Sequence, residues 1–375
     1  MIALEPECAA LYVRRQRDEH PNPALLATKY AVVDCGGGTV DIAYHSIERQ
    51  DGDTIIVKEL APPSGGPYGG RLVDREFEKL LDKVFGASFS SKLRELDPCT
   101  WMKLMNGLEQ RKTRHVGNKA GEVIGLDLDI AFSEACEKIK KKSAVQILKS
   151  CTVPGVRMQN RRMCISADLV KKWYEESIRR AAQCLNANLL KANLQDVSAL
   201  YMVGNFSKSH YILEGVRKEV TSIPSENIIK PSDSHVAIVK GAVLYGFDPT
   251  IVHERVSAMS YGVGCFGGAR SEHDSFYLEF IAAGESIKAT EVREQTVAAG
   301  EDGTVKIYCA PDKVMSLKDP NCRELASIHI AMPDDMKKRC NVHISMRFGG
   351  PEIYVVVTDD STGKVFDASV DFECQ

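Results

Sequence analysis

Three glycines set inside an apolar, β-forming stretch place the strongest limit on this fold. Tyr30-Ala31-Val32-Val33-Asp34-Cys35 leads into Gly36-Gly37-Gly38-Thr39, and Val40-Asp41-Ile42-Ala43-Tyr44 resumes the same texture. β-Branched and aromatic residues on both sides of a glycine cluster read as strand, tight turn, strand. With no Cβ in the turn, the backbone is free to take positive φ and its N–H groups can approach a ligand closely. Bare amides in a row make an anion site, so a phosphate is the natural guest. Asp34 and Asp41 bracket the turn, and carboxylates repel phosphate. Mg²⁺ reconciles the two, because it keeps most of its waters and bridges carboxylates to phosphate oxygens. Thr39 adds a hydroxyl able to donate to a terminal phosphate. The plainer alternative is a glycine hairpin with two solvated aspartates.

At 375 residues the chain has room for about two or three domains and a large core. Lys and Arg number 48 against 51 Asp and Glu, for a net charge of −3. That balance gives no electrostatic reason to expect a nucleic-acid or membrane partner. No apolar run approaches a membrane span, and the start lacks the apolar core of a signal peptide. The 12 cysteines are scattered, with no C-x-x-C pair. Neither a zinc site nor a disulfide framework fits that spacing, so the expectation is reduced thiols in a cytoplasmic protein.

In chain order, residues 5–17 read as a helix with Pro6 in its first turn. Residues 18–29, with Pro21-Asn22-Pro23, read as a loop. Thr54 to Leu60 reads as a third strand, paired through a turn at Asp51-Gly52. Pro62 to Gly70 reads as a functional loop. Leu72, Phe77, Leu80, Leu81 and Val84 then recur at helical spacing. A mostly helical region runs from 71 to about 190 and ends in a helix from Ser166 to Leu190, with Ser166 as N-cap. Trp101 and Trp173 read as packing residues. Ala199 to Val203 reads as a buried strand. It feeds Gly204-Asn205-Phe206-Ser207-Lys208-Ser209 and a helix from His210, whose first amides lack partners. Val236 to Tyr245 reads as an apolar helix with Gly241 and Ala242 permitting a close neighbour. Beyond about 253 the apolar residues alternate with period two, the mark of an antiparallel, sandwich-like β-module.

The order of these pieces resembles a known family. Glu5-Pro6 comes first, then Asp34 to Asp41, then Gly65-Gly66-Pro67-Tyr68-Gly69-Gly70, then Val203-Gly204, and last Lys240-Gly241-Ala242-Val243-Leu244-Tyr245-Gly246. Together they resemble the nucleotide-binding domain of the heat shock 70 kDa protein family, within the actin-like ATPase superfamily. Ile2-Ala3-Leu4-Glu5-Pro6, Gly66-Pro67-Tyr68-Gly69 and Phe77-Glu78-Lys79-Leu80-Leu81 are most similar to its divergent member-12 (12A/12B-like) branch, as is the tail opening at Tyr261-Gly262-Val263-Gly264. The resemblance implies an α/β fold: an actin-like, ribonuclease-H-like lobe over residues 1–252 with a helical insertion at about 71–190, followed by a β-rich domain over 253–375.

It also implies a cofactor, ATP or ADP with Mg²⁺, and site residues. Gly36, Gly37, Gly38, Thr39 and Val40 would grip the phosphates. Asp34 and Asp41 would hold the metal through water, and Glu5 would join them as the third catalytic acid. Gly204, Asn205 and Lys208 would face the adenosine, with Glu137, Lys140 and Lys141 supplying further contacts. The plain reading of the 137–142 run is a solvated cationic face. Asn205 stands where the family has a second glycine, and the expectation is that it tolerates left-handed φ there. A lysine replaces the family's stacking arginine. The family's acid in the helix before Lys240 is missing unless Asp233 fills its place.

The first phosphate hairpin of the family, normally upstream of Glu-Pro, has no counterpart here. Phosphoryl transfer depends on positioning and charge stabilisation from both lobes. The expectation is therefore either a piece of a longer protein or an ATP-binding, chaperone-like protein with weak or absent hydrolysis. The tail would receive a protein client or partner. A non-catalytic scaffold without nucleotide is the alternative, and a sugar-kinase-like enzyme fits the β-rich tail poorly.

Overall fold

The computed structural model describes residues 2–16, 23–51, 54–113, 123–266, 275–299, 303–312, 316–330, 341–350 and 352–371. The expected turn residue Gly52, the loop residues Pro21 and Asn22, Cys340, Cys374 and the strand end at Phe372 lie outside them. Helix α1 (Glu5–Arg15) starts with proline and two acids and ends on Arg14 and Arg15, which suits the helix dipole. β1 (Lys29–Cys35), β2 (Val40–Asp51) and β3 (Thr54–Gly66) form an antiparallel meander. β3 is longer than its apolar stretch implied. It runs through Pro62 to Gly66, so the expected loop shrinks to 67–70. The extra residues pair with β2 up to Gly66 opposite Val40, and tertiary pairing overrides weak local propensity.

The helical region holds α2 (Arg71–Phe85), α3 (Phe89–Leu96), α4 (Pro98–Lys112), α5 (Ile130–Lys140), α6 (Ala144–Lys149) and α7 (Ala167–Leu189). It also holds a three-stranded antiparallel sheet that the helical reading missed. Its strands are β4 (Val123–Asp127), β5 (Val156–Gln159) and β6 (Arg162–Ser166), with β6 central. Strands of four or five residues carry too little alternation to register as period two. Ser166 does cap α7, its hydroxyl accepting the Leu169 amide.

β7 (Ala199–Val203), α8 (His210–Glu219), β8 (Ile228–Ile229) and α9 (Ala237–Phe247) complete the first core. The sheet continues with β9 (Val252–Val256) and, beyond β10 (Ser260–Phe266) and β11 (Ser275–Ile281), with β12 (Ser286–Lys288). Its order is β12-β9-β3-β2-β1-β7-β8, a large mixed sheet in which β1 pairs parallel with β7. β1 is buried on both faces. Ala31, Val33 and Cys35 pack against the α2–α8 side, while Tyr30 and Val32 pack under α1.

The remaining strands are β13 (Val292–Ala298), β14 (Thr304–Ala310), β15 (Arg323–His329), β16 (Asn341–Arg347), β17 (Glu352–Asp359) and β18 (Val365–Asp371). They form two four-stranded antiparallel sheets, β11-β10-β14-β15 and β13-β16-β17-β18. Both contribute to one core, through Val263 and Ile307 on one side and Ile344 and Val355 on the other. The C-terminal region is thus β-rich, as its alternation implied. No helix among the described residues is long and apolar enough to cross a membrane.

Candidate functional site: the glycine turn and its carboxylates

The β1–β2 turn closes with the Gly36 amide donating to the Thr39 carbonyl at 3.0 Å. Its other carbonyls face the loop ahead of α2. Gly69, Gly70 and Arg71 donate their amides to the carbonyls of Gly38, Gly36 and Gly37 at 3.2, 3.1 and 2.8 Å. This strap needs its glycine: a Cβ on Gly69 would sit 2.6–2.9 Å from three carbonyl oxygens of the turn. One side of the turn is therefore tied down. Among the described residues, the amides of Gly37, Gly38 and Thr39 donate to no protein group, and all three residues are exposed. A Cβ on Gly37 or Gly38 would meet nothing within 4 Å. None of the three turn glycines is at positive φ, contrary to the expectation. The absence of side chains leaves open space beside the amides instead of permitting a left-handed backbone. Val40, the next residue, is a buried strand position facing Gly66.

Alternation along β1 turns Asp34 to the α1 side, where it is 3% exposed and its Oδ1 has no hydrogen-bond partner among the described residues. Burial first, then the carboxylates of Glu5 and Asp41, push its carboxyl up to about 7. All three causes disfavour the charged form. The Thr39 hydroxyl donates to Asp41 Oδ2 at 2.7 Å. Burial, then Asp34 and Asp41, also raise the Cys35 thiol, which is held as an unreactive thiol. Helix α1 thus brings Glu5 from the start of the chain to the two aspartates.

Gly204 closes the site from β7. Its φ is +84°, and a Cβ there would lie 2.5 Å from the Cys35 carbonyl oxygen and against Asp34 Oδ1. Asn205 does not use left-handed φ: it sits at φ −69°, ψ −35° and opens a short 3₁₀ turn, Phe206–Lys208. Its Nδ2 donates to Glu109 Oε1 at 3.1 Å. Lys208 is half-buried, its amide bonded to the Asn205 carbonyl at 3.2 Å. Asp233 pairs with Lys240 at 2.6 Å and accepts from the Tyr12 hydroxyl at 3.1 Å, so both are committed to each other.

The structure does not bring α5 to this loop. Glu137 is exposed, and Lys140 folds back over Gly86 at the end of α2. No hydrogen bond or ion pair among the described residues joins Glu137, Lys140 or Lys141 to the turn, the strap or residues 204–208. Helix α4 packs beside the 204–208 loop instead, with Glu109 and Lys112. Buried Lys112 Nζ reaches Glu109 at 2.5 Å and Asp74, in the first turn of α2, at 2.8 Å. It lies beside Gly70 of the strap and Phe206 of the loop. One helical turn from Glu109 to Lys112 puts both on one face.

Residues 26–229 match the profile of a family described as a domain of unknown function, DUF8340. Over 92% of its length, this chain is 28% identical to human heat shock 70 kDa protein 12B and 29% identical to mouse heat shock 70 kDa protein 12A. Human heat shock 70 kDa protein 12A matches at 28%. The member-12 resemblance is thus found by direct comparison. The chain spans about half the length of these curated relatives, 54% of each.

Proposed function

The chain belongs to the DUF8340 family, and from that premise we propose that it is an ATP-binding, chaperone-like protein of the heat shock 70 kDa type on an actin-like, ribonuclease-H-like lobe. One observation carries the reading. Among the described residues the amides of Gly37, Gly38 and Thr39 have no partner and are exposed beside three clustered acids, while the opposite side of the turn is tied to the strap. Such amides receive phosphate oxygens. The orphaned Asp34 Oδ1 and its crowded neighbours are what a hydrated cation would relieve. Among the described residues no three His, Cys, Asp or Glu side chains are grouped to hold a bare metal ion, so Asp34, Asp41 and Glu5 would hold Mg²⁺ through its waters. When bound, the ion supplies charge neutralisation at the phosphates. Gly204, Asn205, Lys208, Glu109 and Lys112 would form the adenosine side.

The described residues carry one phosphate-gripping hairpin, and phosphoryl transfer needs charge stabilisation all around the phosphate. Hydrolysis by this chain alone is therefore weak or absent in this reading. The β-sandwich offers the surface for a protein client, and free thiols suit a cytoplasmic setting. A scaffold that binds no nucleotide is favoured by one detail: the Thr39 hydroxyl and the Asn205 amide group are already bonded inside the protein.

Isothermal titration with Mg·ATP decides between them. Heat at micromolar protein supports nucleotide binding, and none at high micromolar protein supports the scaffold. Gly37→Val fills the open space beside the amides, so affinity should fall at least ~10-fold, with stability changed by no more than about 0.5 kcal/mol. Unchanged affinity in that variant would place the phosphates elsewhere.

A further inference from the structure

Beneath α1, a row of polar side chains crosses the buried face of the large sheet. Tyr201 on β7, Tyr30 on β1, His45 on β2, Glu59 on β3 and Arg255 on β9 lie along it, all buried. Register pairs Tyr30 with His45 and His45 with Glu59. The Tyr30 ring stacks on Tyr201, centroids 4.9 Å apart, and tilts against His45 at 5.7 Å. Helix α1 covers the row with Arg14, which donates to the Tyr201 hydroxyl, and with Glu7. Tyr245 of α9 lies against Arg255. A sheet face under a helix is most cheaply filled with apolar side chains. Here both His45 nitrogens, Glu59 Oε1 and the Tyr30 hydroxyl have no hydrogen-bond partner among the described residues.

Arg255 joins three parts of the molecule at this seam. Its Nε and Nη2 donate to Glu7 of α1 at 2.9 and 2.7 Å. Its Nη1 donates to the carbonyl of Gly349, in the turn between β16 and β17 of the sandwich. Gly349 is pressed on the end of β12: a Cβ there would lie 2.7 Å from the Lys288 carbonyl oxygen. Glu59 sits next to this node, its Oε2 accepting the Val256 amide at 2.8 Å. One guanidinium therefore has two carboxyl groups as neighbours and is bonded to one.

We propose that Glu59 is a proton-controlled latch on the seam between the large sheet and the sandwich. As the neutral acid it leaves Arg255 to Glu7 and Gly349. When its proton passes to solvent base, the new carboxylate competes for the guanidinium and loosens α1 and the 349 turn together. Burial is the main cause that raises the Glu59 carboxyl, to about 8; Glu7 adds to it, while the Val256 amide and Arg255 oppose it. Burial and Arg255 drive His45 down to about 4, so it stays neutral and supplies no compensating charge. A carboxyl raised on folding stabilises below its unfolded value, and that stability is lost as pH rises through the folded value. The latch therefore loosens on the alkaline side.

Thermal unfolding of the full chain and of Glu59→Gln, followed from about pH 6 to about pH 9, tests this. Glutamine keeps the shape and the acceptor for Val256 but cannot ionise. Wild type should lose roughly 5 °C more than the variant across that range. Peptide-resolved thiol labelling of Cys8, buried on α1 beside Glu7, should accelerate at least ~10-fold relative to the variant. Asp34 titrates in both proteins and cancels in the comparison. Parallel melting profiles, or an equal rise of labelling in both, overturn the proposal. Carbon-13 titration of Glu59 in the wild-type chain checks it without a variant. A midpoint near the ordinary glutamate value of about 4.3 sinks it.

Discussion

Asp34 illustrates how much one side chain can be asked to bear. Its carboxyl is buried, crowded by Glu5 and Asp41, and short of one hydrogen-bond partner. With its value raised from 3.8 to about 7, the stability it contributes is complete at low pH and is lost as pH rises through neutrality. Asp34→Asn should therefore melt higher than wild type, by a margin that widens between about pH 4 and pH 8. A constant margin would show that Asp34 ionises normally. The same group makes ligand binding proton-linked. If Mg·ATP binds, calorimetry in buffers of different ionisation enthalpy should show protons released near neutrality, and affinity should rise with pH. Two glycines a strap apart behave in opposite ways. Gly37 faces open space, whereas Gly69 faces three carbonyl oxygens. Gly69→Ala should destabilise by about 1–3 kcal/mol through overpacking, measured by denaturant unfolding.

At the scale of elements, the 204–208 loop depends on where α4 docks. Glu109 holds Asn205 of the 204–208 loop, and Lys112 ties Glu109 to Asp74 at the start of α2. The Tyr174 hydroxyl donates to the Lys112 carbonyl, and the Tyr174 ring stacks on Phe206. Three helices thus fix one loop. Glu109→Ala should release it: hydrogen exchange at residues 204–208 should rise several-fold. On the proposed nucleotide reading, affinity for ATP should fall by more than affinity for inorganic tripolyphosphate, which would need only the turn. Equal losses for both ligands would mean that α4 supports the whole site and not its adenosine side.

At the scale of the whole molecule, the large sheet and the sandwich are not beads on a linker. β9 and β12 hydrogen-bond into the first sheet, and β12 lies between strands of the second region in sequence. Arg255 of β9 bridges them, ion-paired to the buried Glu7 of α1 and donating to the Gly349 carbonyl of the sandwich. Removing one partner of a buried pair leaves the other charge stranded, so Arg255→Met should cost about 3–5 kcal/mol. By calorimetry it should split a single transition into two, the sandwich separating from the sheet. A lone, merely shifted transition would show that β9 and β12 alone keep the two units cooperative. Helix α9 also belongs to this scale. Gly241 abuts the Cys8 carbonyl of α1, while Val239, Val243 and Phe247 remain exposed on its other face.

What the chain's own residues settle are the local matters. Period-two alternation marks the sandwich strands, and Ser166 marks the start of α7, because both depend on neighbours in sequence. The glycine turn with its flanking aspartates is legible in the same way, since strand, turn and strand are contiguous. Long-range contacts decide the rest. That β3 runs on through Pro62 to Gly66 depends on β2, and the hidden β4–β6 sheet pairs residues as far apart as Val123 and Ser166. The strap that ties down the turn's carbonyls comes from beyond β3, and Glu109 and Lys112 meet the 204–208 loop because α4 folds onto it. Spacing along a chain carries information across about one helical turn or one strand, so which of two charged helices meets a loop is determined when the core packs.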